Sequence, residues 1–174
     1  PLAWAMQTLP FKGRFIHAFN QTPMGYGLGA AIGAAGEHSG SGHVVLLTGD
    51  GGLSECITEF ATIVKHFLNV KVLLFNNRGH AMCRQTQKQW LGGIYHGTSS
   101  KDLATPPFSS IAKAYGLSVK HNLHEFMTDK RRGPSFLEIF IDEEQGVSPQ
   151  AKFGFPIEDQ EPSLPREELA GIMR

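Results

Sequence analysis

Two apolar runs, each followed directly by small or polar residues, constrain the fold of this chain more than any other feature. The first run, HVVLLT at 43–48, ends at Gly-Asp-Gly-Gly, and the second, VKVLLF at 70–75, ends at Asn76-Asn77. Such continuous runs are typical of strands buried on both faces of a parallel sheet. Between them, residues 54–67 carry apolar side chains at helical spacing, with Ser54 as the predicted N-cap. The order strand, helix, strand predicts one right-handed crossover between adjacent parallel strands.

Further elements extend this alternation along the chain. Additional strands are predicted at 14–19, 117–120 and 134–141, and additional helices at 108–115, 124–130 and 166–173. The Gly- and Ala-rich stretch 25–36 suits a helix that packs closely against a neighbour. Residues 79–105 are polar and dotted with glycine, which is typical of a functional or partly helical segment. The pattern predicts an α/β fold, doubly wound, with a mainly parallel sheet and helices on both faces.

Length and composition limit the domain organisation, the partners and the cellular location that we expect for this chain. The 174 residues favour one domain at 1–150 and a polar, Pro-rich C-terminal tail with a short helix at 151–174. Sixteen basic residues balance sixteen acidic ones, so neither nucleic acid nor a membrane is an expected partner. Two cysteines make no disulfide framework, and with no signal peptide or apolar span visible a cytoplasmic location is expected. Because the chain starts at Pro1 within ordered-looking sequence, we expect it to be a piece of a longer protein.

The residues after the two central strands offer a metal site and an anion site together. Ligands of open α/β sheets bind outside the carboxyl ends of the strands. Asp50 supplies a carboxylate and Asn77 an amide oxygen, and Mg²⁺ takes such oxygens together with phosphate oxygens and water. Gly51 and Gly52 present backbone N–H groups at a predicted helix N-terminus, which suits a phosphate. The pattern predicts a clamp for a magnesium diphosphate group.

This arrangement resembles the signature of thiamine diphosphate (ThDP)-dependent enzymes. Gly49–Gly51 is followed after 24 residues by Asn76-Asn77. The stretch MGYGLGAAIGA at 24–34 and the ending, with VSP at 147–149 and PREEL at 165–169, are similar to the acetolactate synthase branch, so the resemblance runs from about residue 4 to the C-terminus. Arg84–Gln87 and the glycines near 92–97 resemble acetolactate synthase-like proteins of sugar and lipopolysaccharide gene clusters.

The resemblance implies where the cofactor would be held. The Mg²⁺ ligands would be Asp50, Asn77 and the backbone carbonyl of Gly79. The implied diphosphate contacts are the backbone amides of Gly51, Gly52, His80 and Ala81. Met24 would line the pyrimidine and thiazolium side of ThDP, with simple core packing as the alternative, and Met82 would face the cofactor. No residue of this chain is assigned as catalytic, although the His80 side chain is weighed as an acid–base group against a structural role.

The chain departs from the family pattern at two places. In acetohydroxyacid synthases a Trp a few residues after the Asn-Asn pair helps to select the second keto acid, and Thr86 falls at that position here. The usual acetolactate acceptor is therefore in doubt. The residue that bends ThDP into its V shape lies near the start of the chain and is not placed among residues 3–6.

The function implied by the resemblance is that of a Mg-ThDP-binding domain in an acetolactate synthase-like transferase or lyase. Such an enzyme decarboxylates a pyruvate-like 2-keto acid and ligates the resulting carbanion to an acceptor carbonyl; a simple 2-keto-acid decarboxylase is the alternative. In the family a Glu from a pyrimidine-binding domain, on a partner subunit, activates the cofactor. That domain and the middle domain have no counterpart in this sequence, so we expect the isolated chain to be inactive and the parent enzyme to be a homo-oligomer.

Two readings from other classes remain open at the level of sequence. Gly25-x-Gly27-x-x-Ala30 fits a permissive dinucleotide-binding pattern, but it leaves Gly51-Gly52 and Asn76-Asn77 unexplained. A non-catalytic assembly domain would have no physical need for an intact pair of oxygen ligands after adjacent strands.

Overall fold

A parallel sheet forms the centre of the computed structural model, which describes residues 13–18, 21, 23–37, 42–146, 148–152, 154–156 and 158–173. Its four strands are β1 (Val44–Gly49), β2 (Val70–Asn76), β3 (Ser118–Val119) and β4 (Ser135–Phe140). They lie in the order β1-β2-β4-β3, and every neighbouring pair is parallel. Strands β5 (Gln150–Ala151) and β6 (Gln160–Glu161) form a separate antiparallel pair.

Helices connect the strands of the sheet. The described α-helices are α1 (Tyr26–Glu37), α2 (Asp50–Ser54), α3 (Phe60–Lys65), α4 (Ala81–Trp90), α5 (Phe108–Tyr115), α6 (Leu123–Thr128) and α7 (Arg166–Ile172), with a 3₁₀ turn at Ile57–Glu59. Helices α2 and α3 fill the crossover from β1 to β2. Helix α4 lies within the polar segment 79–105, which is therefore partly helical as expected. None of the helices in the described part of the chain is long and apolar enough to cross a membrane.

Side chains that alternate along β2 divide the apolar residues between two cores. Val72 and Leu74 lie in the larger core, with residues of α1, α2, α3 and α5. Leu73 lies in the smaller core on the other face, with Phe126 of α6 and Leu137 of β4. Helices thus pack on both faces of an entirely parallel sheet, and the predicted doubly wound α/β class is confirmed.

The expected burial of β1 on both faces is wrong, because β1 lies at the edge of the described sheet and leaves Val45 45% exposed. Two predictions about the positions of elements are also wrong. Ser54 does not cap a helix, because α2 begins at Asp50 and the Ser54 hydroxyl donates to the Asp50 carbonyl oxygen at 2.8 Å. A serine in the last turn of a helix can satisfy its hydroxyl in this way without starting a new helix. Residues 14–18 form no strand, since an extended run needs a partner and no described strand pairs with them. Phe19 lies outside the described residues.

The absence of a strand at 14–18 bears on the dinucleotide-binding alternative. That pattern requires a strand that leads into the glycines at 25 and 27, and the described residues before them contain none. Gly25 instead occupies a left-handed turn, with φ of 77°, directly before α1. The glycines of this pattern therefore shape the start of α1 rather than a strand-to-helix phosphate loop.

Candidate functional site

The ends of β1 and β2 bring Asp50 and Asn77 together. Gly49 is paired in register with Phe75, so both strands end at the same edge of the sheet. The Gly79 N–H donates to Asp50 Oδ2 at 3.0 Å and to Asn77 Oδ1 at 3.3 Å. The shared donor places both side-chain oxygens around the same turn, as a cation bound by both would require. The crossover predicted from the sequence places them there.

A short turn holds these oxygens in place. Arg78 adopts a left-handed conformation with φ of 59°, which is unfavourable for a residue with a side chain. Its N–H donates to Asn76 Oδ1 at 2.9 Å, and Asn76 is almost completely buried. Asn76 Nδ2 donates in turn to Glu138 Oε1 at 2.7 Å. The first Asn of the pair thus supports the turn, while the second faces Asp50.

The electrostatics of Asp50 suit a cation. The residue is buried, with 8% of its surface exposed. This burial raises the pKa of Asp50 above its ordinary value, although hydrogen bonds from the backbone of Gly51 and Gly79 oppose the shift. Desolvation of a carboxylate costs free energy that a bound cation offsets. The described residues contain no group of three or more His, Cys, Asp or Glu side chains that could hold a metal ion. An ion here would therefore need amide or carbonyl oxygens as well, a donor set that fits Mg²⁺.

Three residues expected at the cofactor lie against one another beside Asp50. A Cβ atom on Gly51 would come within 2.9 Å of His80 Nδ1 and 3.0 Å of Met24 Cε. Glycine is therefore required at position 51 unless both side chains move. Met24 is 48% exposed and belongs to neither core of the described chain. Gly52 follows in the first turn of α2, where its nearest neighbours beyond the adjoining chain are Thr48 and Gly25.

The backbone amide of His80, an expected diphosphate contact, forms a hydrogen bond within the protein instead. The His80 N–H donates to the Thr98 carbonyl oxygen at 3.1 Å rather than pointing to a free anion site. The reason is that segment 96–99 folds back against the turn, so that a Cβ on Gly79 would lie 2.5 Å from the same carbonyl oxygen. The His80 amide is therefore removed from the expected diphosphate contacts. Ala81 begins α4, and Met82 in the next position is 59% exposed.

Gln87 on α4 forms hydrogen bonds with segment 96–99 and holds it against the turn. Its Nε2 donates to the His96 carbonyl oxygen at 3.0 Å, while its Oε1 accepts from the Thr98 hydroxyl at 3.1 Å and from the His96 N–H at 3.3 Å. Thr98 is buried in consequence. The Gly79 turn is thus packed between the strand ends and a segment nearly twenty residues further along the chain.

A cleft of about 680 Å³ runs along α4 and reaches the site at Ala81. Its lining is mostly polar or charged: Arg84, Gln85, Lys88, Tyr95, Glu143 and Glu144 are among the residues that form it. Arg84 pairs with Glu144 and lies over the Tyr95 ring, 4.2 Å from its centroid. The Thr86 hydroxyl donates back to the Met82 carbonyl oxygen at 3.0 Å. A cleft with this lining suits a polar ligand.

Sequence reasoning missed Glu138, Thr98 and Gln87. One signal could have found Glu138: it is the only charged residue in the otherwise apolar run PSFLEIFI, at a position that alternation turns toward the larger core. The contacts of Thr98 and Gln87 depend on how segment 79–105 folds back and have no local signal. The candidates at 3–6 for the residue that bends ThDP, and Val147, lie outside the described residues.

Comparisons with known proteins agree with this geometry. The family model for the thiamine pyrophosphate enzyme, C-terminal TPP binding domain, matches residues 2–139. The acetolactate synthase large subunit of Porphyra purpurea is 30% identical over 159 residues, which are 87% of this chain and 27% of that protein. The large subunit of Pyropia yezoensis is 34% identical over 141 residues, 80% of this chain and 22% of that protein.

A solved structure shows the same relation. The ThDP-dependent 4-hydroxybenzoylformate decarboxylase of Rhodococcus jostii RHA1 superposes with a TM-score of 0.58 and 25% sequence identity, over 68% of this chain and 23% of that one. The chain therefore spans about a quarter of the length of the relatives that it matches. The chain belongs to the C-terminal TPP-binding domain family of thiamine pyrophosphate enzymes, on its acetolactate synthase-like branch, whose cofactor is thiamine diphosphate with Mg²⁺ as the usual partner metal.

Proposed function

We propose that residues 1–150 of this chain hold the magnesium diphosphate end of ThDP in an acetolactate synthase-like enzyme, with 151–174 as a tail. The observation that carries this proposal is the single Gly79 N–H that links Asp50 Oδ2 and Asn77 Oδ1 at adjacent strand ends. In the proposed site Asp50, Asn77 and the Gly79 carbonyl hold Mg²⁺. The amides of Gly51, Gly52 and Ala81 contact the diphosphate.

The proposed reaction joins two carbonyl compounds after one loses carbon dioxide. ThDP, when bound, supplies the electron sink that stabilises the carbanion left by a decarboxylated 2-keto acid. This chain contributes binding and orientation. Met24 and Met82 offer exposed, polarizable side chains beside the site, and the polar cleft along α4 offers room for an acceptor carbonyl compound. The group that activates the pyrimidine is proposed to come from a separate pyrimidine-binding domain, in a homo-oligomeric parent enzyme.

A simple 2-keto-acid decarboxylase is the second candidate, and two observations favour it. Thr86 stands where acetohydroxyacid synthases have a Trp that helps to select the second keto acid. The solved relative from Rhodococcus jostii is itself named as a decarboxylase. Product analysis separates the two candidates, because a decarboxylase releases an aldehyde whereas a carboligase forms a new carbon–carbon bond to an added acceptor.

Activity measurements test the proposal. The 174-residue chain, incubated with pyruvate, ThDP and Mg²⁺, is expected to release no carbon dioxide above the background of the cofactor. The longer parent protein, or the chain mixed with its pyrimidine-domain partner, is expected to release it, because the proton transfers of this chemistry need a closed site that excludes water and that this chain would not complete alone. Asp50→Ala should abolish that release, while Glu167→Ala, an exposed carboxylate of α7, should leave it unchanged. Turnover by the isolated chain would contradict the proposed division of labour.

A further inference from the structure

Glu138 places a carboxylate inside an apolar strand of the sheet. It lies two residues after Phe136 on β4 and therefore shares the face that packs against the larger core. The residue is only partly exposed. A carboxylate withdrawn from water costs free energy unless hydrogen bonds replace the lost solvent. Its partners therefore indicate what the residue does.

The partners of Glu138 come from two different elements. Oε2 accepts from the Ser109 hydroxyl at 2.5 Å and from the Ser109 N–H at 3.3 Å, in the first turn of α5. Oε1 accepts from Asn76 Nδ2 at 2.7 Å. The contacts with α5 anchor one oxygen of the carboxylate and so fix the other where it meets the end of β2.

This contact decides which way the Asn76 amide faces. A carboxylate oxygen accepts hydrogen bonds, so Asn76 presents its NH₂ group to Glu138 and its Oδ1 to the Arg78 N–H at 2.9 Å. The latter bond supports the left-handed conformation of Arg78. The next residue, Gly79, then donates to both Asp50 and Asn77. Hydrogen bonds between Glu138 and Asn76 and between Asn76 and Arg78, followed by the backbone link from Arg78 to Gly79, thus connect β4 to the two side-chain oxygens.

We propose that Glu138 is a positioning residue for the Mg²⁺ site, acting through Asn76 on the Arg78–Gly79 turn. The inference rests on the proposed function, because it takes Asp50 and Asn77 as the Mg²⁺ ligands. Glu138 itself does not touch the ion or the cofactor. It keeps the ligand oxygens together before the cofactor arrives, which spares the cost of ordering them on binding.

The substitution Glu138→Gln isolates this effect because it keeps the size of the side chain. The new NH₂ group faces a donor on one side whichever way the amide turns, since both Asn76 and Ser109 donate. If the Asn76 amide flips to relieve the conflict, its NH₂ group meets the Arg78 N–H and the turn loses its support. Glu125→Gln is the matched control, because Glu125 on α6 also accepts a backbone N–H, from His121 at 3.1 Å.

The experiment uses the full chain and three readouts. Calorimetry gives the apparent Kd for Mg²⁺ at a fixed ThDP concentration, thermal denaturation without ligands gives Tm, and amide hydrogen exchange follows Arg78 and Gly79. For Glu138→Gln we expect an apparent Kd weaker by about tenfold, the scale of one hydrogen bond to a charged group. We also expect faster exchange at Arg78 and Gly79, without a matching loss in Glu125→Gln. Ser109→Ala removes the hydroxyl that donates to Glu138 Oε2 but keeps the backbone N–H that also donates to it, so it should shift the Kd and the exchange rates in the same direction by less.

The outcomes separate the two proposals. If the wild type shows no Mg²⁺-dependent binding of ThDP, or if Asp50→Ala binds as the wild type does, the proposed function fails. If those controls behave as expected but Glu138→Gln keeps the wild-type Kd and exchange rates, Glu138 has no positioning role. A lowered Tm with an unchanged Kd also overturns the inference, because it shows a purely structural role. Should Glu138→Gln fail to fold, Ser109→Ala is measured in its place against the same criteria.

Discussion

A single methyl group added at Gly79 should disrupt the site, because the turn has no room for it. A Cβ at this position would lie 2.5 Å from the Thr98 carbonyl oxygen and 3.4 Å from Ser99 Cα. These neighbours are backbone atoms, which cannot rotate away as the end of a side chain can. The Thr98 carbonyl oxygen would have to retreat by roughly 0.9 Å to reach an ordinary contact of 3.4 Å. The same oxygen accepts the His80 N–H at 3.1 Å, so its retreat breaks or weakens that bond.

These two effects set the magnitude of the loss. Overpacking in a well-packed site costs about 1–3 kcal/mol, and a lost hydrogen bond costs about 1 kcal/mol. We therefore expect Gly79→Ala to lower the free energy of unfolding by roughly 2–4 kcal/mol. For a chain of this size each kcal/mol corresponds to a fall in Tm of about 2–4 °C. The expected decrease in Tm is thus roughly 5–15 °C.

Thermal denaturation followed by circular dichroism measures this change without any ligand. Gly36→Ala is the matched control, since a Cβ at that position in α1 meets nothing within 4 Å. It should leave Tm unchanged or raise it slightly, because alanine favours a helix more than glycine does. A Tm of Gly79→Ala within about 2 °C of the wild type would refute the packing argument.

Three further predictions concern other parts of the molecule. Asp129→Asn leaves the buried Lys120, which lies 2.6 Å from that carboxylate, without its ion-pair partner and should cost about 3 kcal/mol at neutral pH. Hydrogen bonds from Arg131 and Lys120 hold the pKa of Asp129 well below its usual range, so the ion pair stabilises the folded state fully above pH ~4 and less below it. The difference in unfolding free energy between wild type and Asp129→Asn, measured by urea denaturation, should therefore shrink toward pH 3. A difference that stays constant with pH would contradict this. Gln87→Ala should lower Tm by a few degrees and speed amide exchange at 96–99, through the loss of about 1–2 kcal/mol of hydrogen bonding. Unchanged exchange at 96–99 would show that Gln87 does not hold this segment in place. Light scattering should show a dimer or larger assembly, because α1 and segment 79–97 expose apolar side chains that include Tyr26, Met82 and Ile94; a monomer at high concentration would count against it.

The strands and the meeting of the two ligand residues could be predicted because both follow from local patterns. Runs 43–48 and 70–75 are mostly apolar, and such short runs favour buried strands. The structure buries β2 along nearly its whole length but leaves β1 at the edge of the described sheet. One crossover between them then forces Asp50 and Asn77 to the same edge of the sheet. No knowledge of the remaining chain is needed for that step.

The remainder of the site depends on contacts that local patterns do not encode. The start of α2 at Asp50 rather than at Ser54 is decided by where β1 stops, and the Ser54 hydroxyl is satisfied in either case. The Glu138 contact requires the register that pairs Asn76 with Phe140, which a one-residue slip would destroy. The Thr98 contact requires segment 79–105 to fold back on Gly79. Because the Thr98 carbonyl oxygen accepts the His80 N–H, the same contact removes the His80 amide from the expected diphosphate contacts.

Calorimetric titration of ThDP in the presence and absence of Mg²⁺ tests whether Asp50 and Asn77 bind the metal that holds the cofactor. We expect the wild type to bind ThDP only when Mg²⁺ is present and Asp50→Ala to lose this binding, because the substitution removes the charged ligand. Asn77→Ala should weaken binding by about 1.5–3 kcal/mol, and Glu167→Ala should bind as the wild type does. Unchanged affinity in Asp50→Ala, or binding that ignores Mg²⁺, would contradict the assignment of this site.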